Sequence, residues 1–296
     1  MLPVVCAALA ALALLGACAQ PGTLVGDGQT GFGEPGGPGG NSLTEIAQEW
    51  DAFPVDRVPR PIVVVTGGLL EVAGFHSENG KLAFLTGQIE LATPLPEASA
   101  TVAVDLPEGR ITFPVLRPDE AFASVRAQGS PANAPNSSPA PVRVTSVTLG
   151  SAEFSTDRGR LRLPAWLFDG PDIMEAVAWP AVGKEAFWRY GEPNNAATMP
   201  PSQLSRDGRR IRYAVPGQGC PSQPVLRYRV EVTETATTVV LTTVGNIVST
   251  PGPEAKDLTC AAIGVTPEPY DVDLAAPLGN RVVIARTDGA TGAAIG

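Results

Sequence analysis

One histidine, His76, three lysines and four cysteines are spread through 296 residues. A Ser-His-Asp or Cys-His device therefore has one candidate base, and neither a G-x-S-x-G elbow nor an S-x-x-K sequence accompanies it. His76 lies between Gly74-Phe75 and Ser77, which reads as a turn. A structural zinc centre needs three or four ligands, and one imidazole with scattered carboxylates does not supply them. Aromatic residues make up 6% of the chain, and the longest apolar run is shorter than the roughly 20 residues that cross a bilayer as a helix. Acidic residues exceed basic ones by 30 to 21, and a net charge of −9 disfavours association with nucleic acid or with anionic headgroups.

The apolar run that is present lies at the start. Val4 to Leu15 contains only Ala, Leu, Val and Cys6, the length and character of a signal-peptide core. It ends in Leu15-Gly16-Ala17-Cys18, which resembles a bacterial lipobox, with Leu at −3, small residues at −2 and −1, and Cys at +1. That resemblance implies removal of residues 1–17 and diacylation of Cys18. Each buried methylene contributes about 0.8 kcal/mol, so two long acyl chains give a stable membrane tether. Ala17-Cys18-Ala19 also fits ordinary signal peptidase, which would release a soluble, secreted protein beginning at Gln20. Residues 18–41 then form a Gly- and Pro-rich stretch with little to bury, expected to be a flexible linker. Two G-x-G-x-x-G matches, starting at Gly26 and Gly31, fall inside it and open no helix, so they do not read as a nucleotide site.

Export agrees with the cysteines. Cys6 leaves with the signal and Cys18 is the lipidation candidate, so Cys220 and Cys260 remain as a pair. In an oxidising compartment they are expected to form a disulfide closing a loop of about 40 residues, contributing roughly 3 to 4 kcal/mol on the chain-entropy account. A redox or metal role would call for C-x-x-C spacing or further histidines.

Beyond the linker the pattern is that of an all-β protein, mainly antiparallel sandwich or barrel-like sheets, with one short N-terminal helix. Ser42 and Glu45 form a capping box, and Leu43, Ile46, Ala47 and Trp50 recur at helical spacing before Pro54. Strands are expected at 62–65, 69–72, 81–91, 101–105, 110–115 and 122–126, then at 142–148, 152–155 and 160–163 running on through Phe168. Residues 129–141 read as a polar loop. Weak strand signal over 188–208 divides the chain into an N-terminal β-rich part, 42–187, and a C-terminal one, 188–296, with strands at 209–215, 224–233, 237–244, 258–265, 270–274 and 281–286.

A few groups could carry chemistry. Arg158, Arg160 and Arg162 alternate with Gly159, Leu161 and Leu163, the period of a half-buried strand with one basic edge, which either solvates the strand or binds an anionic polymer. Asp169 with Asp172 reads as a turn, and Asp271 with Asp273 as one face of a strand. Either pair could alternatively bind calcium or act as the acid and base of a glycoside hydrolase. Trp188, Arg189 and Tyr190 concentrate aromatic surface with a cation, suited to stacking on sugar rings or a partner, or to an interdomain core.

The segment from Gly159 to Phe168, Cys220 and Cys260, and the segment from Ala276 to Val283 resemble uncharacterised exported lipoproteins of high-GC Gram-positive, actinobacterial type. The resemblance implies a cell-surface location, on the outer face of the membrane, and supplies no catalytic residue. The sequence as a whole is therefore expected to be a lipid-anchored envelope protein, a non-enzymatic binding or accessory module without cofactor or metal. Its expected partners are the membrane through its anchor and an envelope protein or cell-wall glycan, not nucleic acid. The other readings are a glycan-binding module and a secreted carboxylate-based hydrolase.

Overall fold

The computed structural model describes residues 43–65, 69–130, 139–190, 203–217, 222–252, 267–287 and 290–293. The signal core, Cys18, the linker, Cys220, Cys260 and the expected strand 258–265 lie outside them, as does most of the expected loop 129–141. The described residues are predominantly β, in five small sheets, and every strand pairing is antiparallel except two.

A short helix, α1 (Leu43–Glu49), opens the body. Two further helices, α2 (Glu78–Leu85) and α3 (Pro118–Ala127), replace strands expected at 81–91 and 122–126. Local start signals outweigh β-branched composition at both. The Ser77 hydroxyl accepts from the Gly80 N–H at 3.0 Å and caps α2. In α3, Pro118 takes the first turn together with Asp119 and Glu120, Arg126 lies in the last, and Ala121 and Val125 bury one face. Of the expected strand 81–91 only β1 (Ile89–Leu91) remains extended, parallel to β4 (Val142–Val144). The backbones of Gly87 and Gly129, just beyond these two helices, lie so close that a β-carbon on Gly129 would overlap Gly87.

Between them run β2 (Thr101–Leu106) and β3 (Gly109–Pro114), an antiparallel pair. The longest hairpin is β5 (Ser146–Thr156) with β6 (Gly159–Asp169), paired along its whole length and continued by β7 (Val177–Pro180). Gly159, at φ +91°, makes the tight return at its tip that a side chain would strain. Trp166 and Trp179 face each other across β6 and β7, both buried, and the Trp166 indole N–H donates to the Leu116 carbonyl at 2.7 Å. Residues 62–65 and 69–72, expected as strands, are extended segments held by single bridges, such as Ile62 to Phe187 and Glu71 to Ala178.

The later residues form β8 (Gln203–Leu204), β9 (Arg210–Val215), β10 (Val225–Glu234), β11 (Thr238–Ser249), β12 (Glu268–Asp273), β13 (Val282–Thr287) and β14 (Ala290–Ala293). They make two sheets, β12-β9-β8 and β10-β11-β13-β14. Val239, Leu241 and Val283 pack against Ile211, Tyr213 and Val272 of the first sheet. The alternate residues Val240, Val282 and Ile284 point the other way, onto Ile46, Trp50, Phe53, Val63 and Val65. Both faces of the parallel β11–β13 pair are thus covered, which is why 238–241 read as an unbroken buried run and not as an alternation. A third layer, α1 with the segment after it, closes the C-terminal sheets.

Trp50 is the largest side chain of that third layer, 3% exposed, with its ring 6.0 Å from Phe53 and 6.3 Å from Trp188. Truncating a buried Trp to Ala costs about 3–5 kcal/mol. Trp50→Ala is therefore expected to lower the free energy of urea unfolding by that amount, with protection from hydrogen exchange lost for residues both before and after 200. Loss of protection confined to 43–65 would contradict the shared core.

Candidate functional site

The tip of the β5–β6 hairpin carries Asp157 and Arg158 to the place where the chain from Arg60 to Val65 passes beside it. The Asp157 N–H donates to the Val63 carbonyl at 2.9 Å, and its Oδ1 accepts from the Val63 N–H at 3.2 Å. Its Oδ2 accepts from Arg60 Nη2 in an ion pair whose side chains are 3% and 1% exposed. Arg60 Nε donates to the Asn280 carbonyl at 2.7 Å, and its guanidinium carbon lies 4.7 Å from the centre of the Phe53 ring. Burial pushes the Asp157 carboxyl above the ordinary carboxylate range, opposed by the charge of Arg60 and by the hydrogen bonds from Arg60 and Val63.

Arg158 continues the network. Its Nη2 donates to the Arg60 carbonyl at 2.9 Å and its Nη1 to Glu108 Oε1 at 2.6 Å. Burial lowers its affinity for the proton, and Asp157 and Glu108 act against that. On the opposite side the turn 276–281 is fastened by Arg281, whose guanidinium donates to the carbonyls of Ala276, Pro277 and Leu278 and to Glu234 Oε2 at 2.8 Å. Glu234 also accepts from the Ala275 N–H at 2.7 Å. Burial alone would raise this carboxyl, but the Ala275 and Arg281 hydrogen bonds outweigh it and hold it below its ordinary value.

Between these two fastened turns lies a cleft of about 570 Å³, lined by Arg60, Asp157, Arg158, Leu204, Leu278 and Arg281 among others. That volume is in the range of small-molecule sites. Its lining combines three ion-paired guanidiniums and the Asp157 carboxylate with the amides of Gln203 and Asn280 and with two leucines. Among the described residues no group of three or more His, Cys, Asp or Glu is placed to hold a metal ion.

Sequence reasoning singled out Arg158 but as one of a stripe. Arg160 and Arg162 stay on the exposed face, paired with Glu153 at 3.0 Å and with the Ser151 hydroxyl at 3.0 Å, whereas Arg158 turns into the tip. Arg60 and Asp157 were not singled out. Their only signal is weak, an Arg set between Pro59 and Pro61 and an Asp at a turn before Gly159, and their meeting depends on a contact between residues about a hundred positions apart.

The remaining groups are dispersed. His76 is exposed just before α2, and its N–H donates to the Asp172 carbonyl at 3.0 Å. Asp169 accepts from the Gly170 N–H at 2.7 Å, a local turn bond. Asp271 and Asp273 lie on one exposed face of β12, opposite Arg212 and Arg210 of β9 at 3.0 and 2.7 Å, and these partners hold the Asp271 carboxyl below its ordinary value. Trp188 and Tyr190 point into different cores. Trp188 meets Phe53 edge-on at 5.3 Å, while Tyr190 accepts from the Trp179 indole N–H at 2.8 Å. Arg189, with φ +49°, donates to the Glu49 carbonyl at 2.6 Å and lies over Trp50 and Trp188, joining α1 to the body.

Comparison with protein-family models, with characterised proteins and with solved structures finds no match to this chain.

Removing one member of a buried ion pair leaves the other charged and without a partner, at a cost of about 3–5 kcal/mol. Asp157→Asn is expected to destabilise by that amount in urea unfolding. The double change of Arg60→Met with Asp157→Leu is expected to cost less than Asp157→Asn alone, because no charge is then stranded. Equal or larger loss in the double variant would contradict the pair as the source of the effect.

Proposed function

We propose that the chain is an extracytoplasmic lipoprotein in which a β-rich body, tethered through diacylated Cys18 by the linker 18–41, serves as a non-enzymatic binding or accessory module of the cell envelope. The observation that carries this reading is Leu15-Gly16-Ala17-Cys18 at the end of the run Val4 to Leu15, followed by a Gly- and Pro-rich stretch before the first helix. A Gly-rich tether of some 20 residues would span about 25 Å on average. The described body supports a binding role: its ionic groups are held by structural hydrogen bonds around an open cleft, and the carboxylate pairs considered for hydrolysis lie on exposed faces next to arginines or in a turn. The partner is an envelope protein or wall polymer reached from the membrane surface.

A disulfide between Cys220 and Cys260 belongs to the same proposal. Val215 and Glu268 are paired across β9 and β12, so the chain leaves and re-enters this sheet at neighbouring points, with Cys220 five residues after Val215 and Cys260 eight before Glu268 along the chain.

Two measurements test these claims. Cells expressing the wild type are expected to incorporate labelled palmitate into this chain and to hold it in the membrane fraction. Cys18→Ala should abolish incorporation, and undiminished labelling would sink the anchor. For the bridge, Cys220→Ser and Cys260→Ser should each lower stability by about 3–4 kcal/mol, and the double variant by no more than either. Additive losses, or a free thiol titre of two in the non-reduced wild type after removal of the lipid-bearing N-terminus, would argue against it.

A further inference from the structure

Strand β10 lies at the edge of its sheet, and among the described residues no strand pairs with it on the outer side. An open edge is a template for another chain, and proteins blunt such edges with short strands, Pro, Lys, bulges or a covering segment. Several other edges here are blunted in those ways. β8 and β14 are short, β12 carries Pro269, and one end of β5 is covered where the Val65 N–H donates to the Ser155 carbonyl at 2.9 Å. By contrast β10 runs ten residues, Val225–Glu234, with no Pro, Gly or Lys, and its register with β11 is regular from Leu226 onward. None of its residues is buried, whereas Val239, Val240 and Leu241 of the neighbouring strand all are.

The tip of the β10–β11 hairpin fixes which backbone groups face outward. There the Thr235 N–H donates to the Thr238 carbonyl at 2.8 Å, so by alternation Thr233, Glu231 and Arg229 bond to Val240, Thr242 and Val244, and Val232 and Val230 turn their N–H and C=O groups away from β11. Side chains alternate as well. Tyr228 and Val230 pack on the core shared with β9 and β12, while Arg229 and Glu231 lie on the other face, 51% and 43% exposed and paired with each other at 2.6 Å. A second copy laid antiparallel to β10 by a two-fold axis at Val230 sets Val230 against its own copy, Val232, 37% exposed, against the partner's Tyr228, and Arg229 against the partner's Glu231. Symmetry repeats the last contact, so each guanidinium then stands between two carboxylates. Moving the axis onto Arg229 or onto Glu231 instead sets that residue against its own copy, a destabilising contact of like charges. The charges thus select one register. We propose that β10 is a docking edge for a second copy of this chain, forming an isologous dimer whose four-stranded sheet continues across the two-fold axis. This goes beyond the binding-module reading and does not depend on the anchor at Cys18.

The test is sedimentation velocity over a concentration series, on the purified full chain carrying Cys18→Ser so that no acyl chain drives association. A monomer–dimer equilibrium with a Kd on the order of 10 μM is expected, the weak end of specific pairing. Arg229→Glu and Glu231→Arg each gather like charges at the axis, and each should weaken the dimer by about tenfold or more. Both side chains are half exposed, so urea unfolding of the two variants should match the wild type. Mixed in equal amounts, the two variants should pair with each other at wild-type affinity, since each then meets the opposite charge. Both changes in one chain should likewise restore the dimer. A wild type that stays monomeric up to about 100 μM, a dimer unmoved by Arg229→Glu, or two variants that remain monomeric when mixed overturns the proposal. Palmitate labelling is unaffected by that failure, so the anchor and the docking edge fall or stand separately.

Discussion

Arg60 carries its charge into a place with almost no access to water, and the parts of the protein around it are arranged to make that tolerable. Asp157 supplies the opposite charge from the tip of a long hairpin, Asn280 supplies a carbonyl from the turn before β13, and Phe53 supplies a ring face from the segment after α1. Three distant stretches are thereby held to one guanidinium. A buried pair of this kind adds little net stability compared with apolar residues of similar volume, but breaking it is costly, so it enforces one arrangement over others. The hydrogen bonds between Asp157 and the backbone of Val63 extend that enforcement to the extended segment that crosses the hairpin tip.

The same constraint shapes the cleft. Because Arg60 and Arg158 are already committed on most of their nitrogens, they cannot swing out to find water for the remainder, and the unsatisfied donors stay under the cleft floor. Arg281 and Asn280 do the corresponding work on the opposite wall, Asn280 donating to the Val55 carbonyl at 3.0 Å while accepting from Arg60. Rigid walls built from side chains bonded to backbone suit recognition of a ligand, since little conformational entropy remains to be lost on binding.

The aromatic segment around Trp188 serves the fold in a parallel way. Its residues alternate between two cores: Phe187 and Tyr190 pack with Trp179 on one side, and Trp188 packs with Trp50 and Phe53 on the other. Arg189 clasps the end of α1. Surface aromatics with a cation and core aromatics with a cation have the same sequence, so the composition of 187–190 does not distinguish them. What distinguishes them is the presence of α1 and β11 on the other side.

Composition, periodicity and punctuation in the chain determined the β-rich class, the helix at 43–49, the strands within 101–114 and the hairpin of β10 with β11, because those patterns are local and the backbone answers to them directly. The helices α2 and α3 were legible too, in Ser77 before Gly80 and in Pro118-Asp119-Glu120, but β-branched and aromatic neighbours outweighed those signals in a reading by composition. The Arg60–Asp157 pair, the double-sided burial of β11 and the cleft between the turns at 157–159 and 276–281 were decided only by tertiary structure. Each depends on residues about a hundred or more positions apart, and a charge carries no mark in sequence of whether it will end in water or against its opposite.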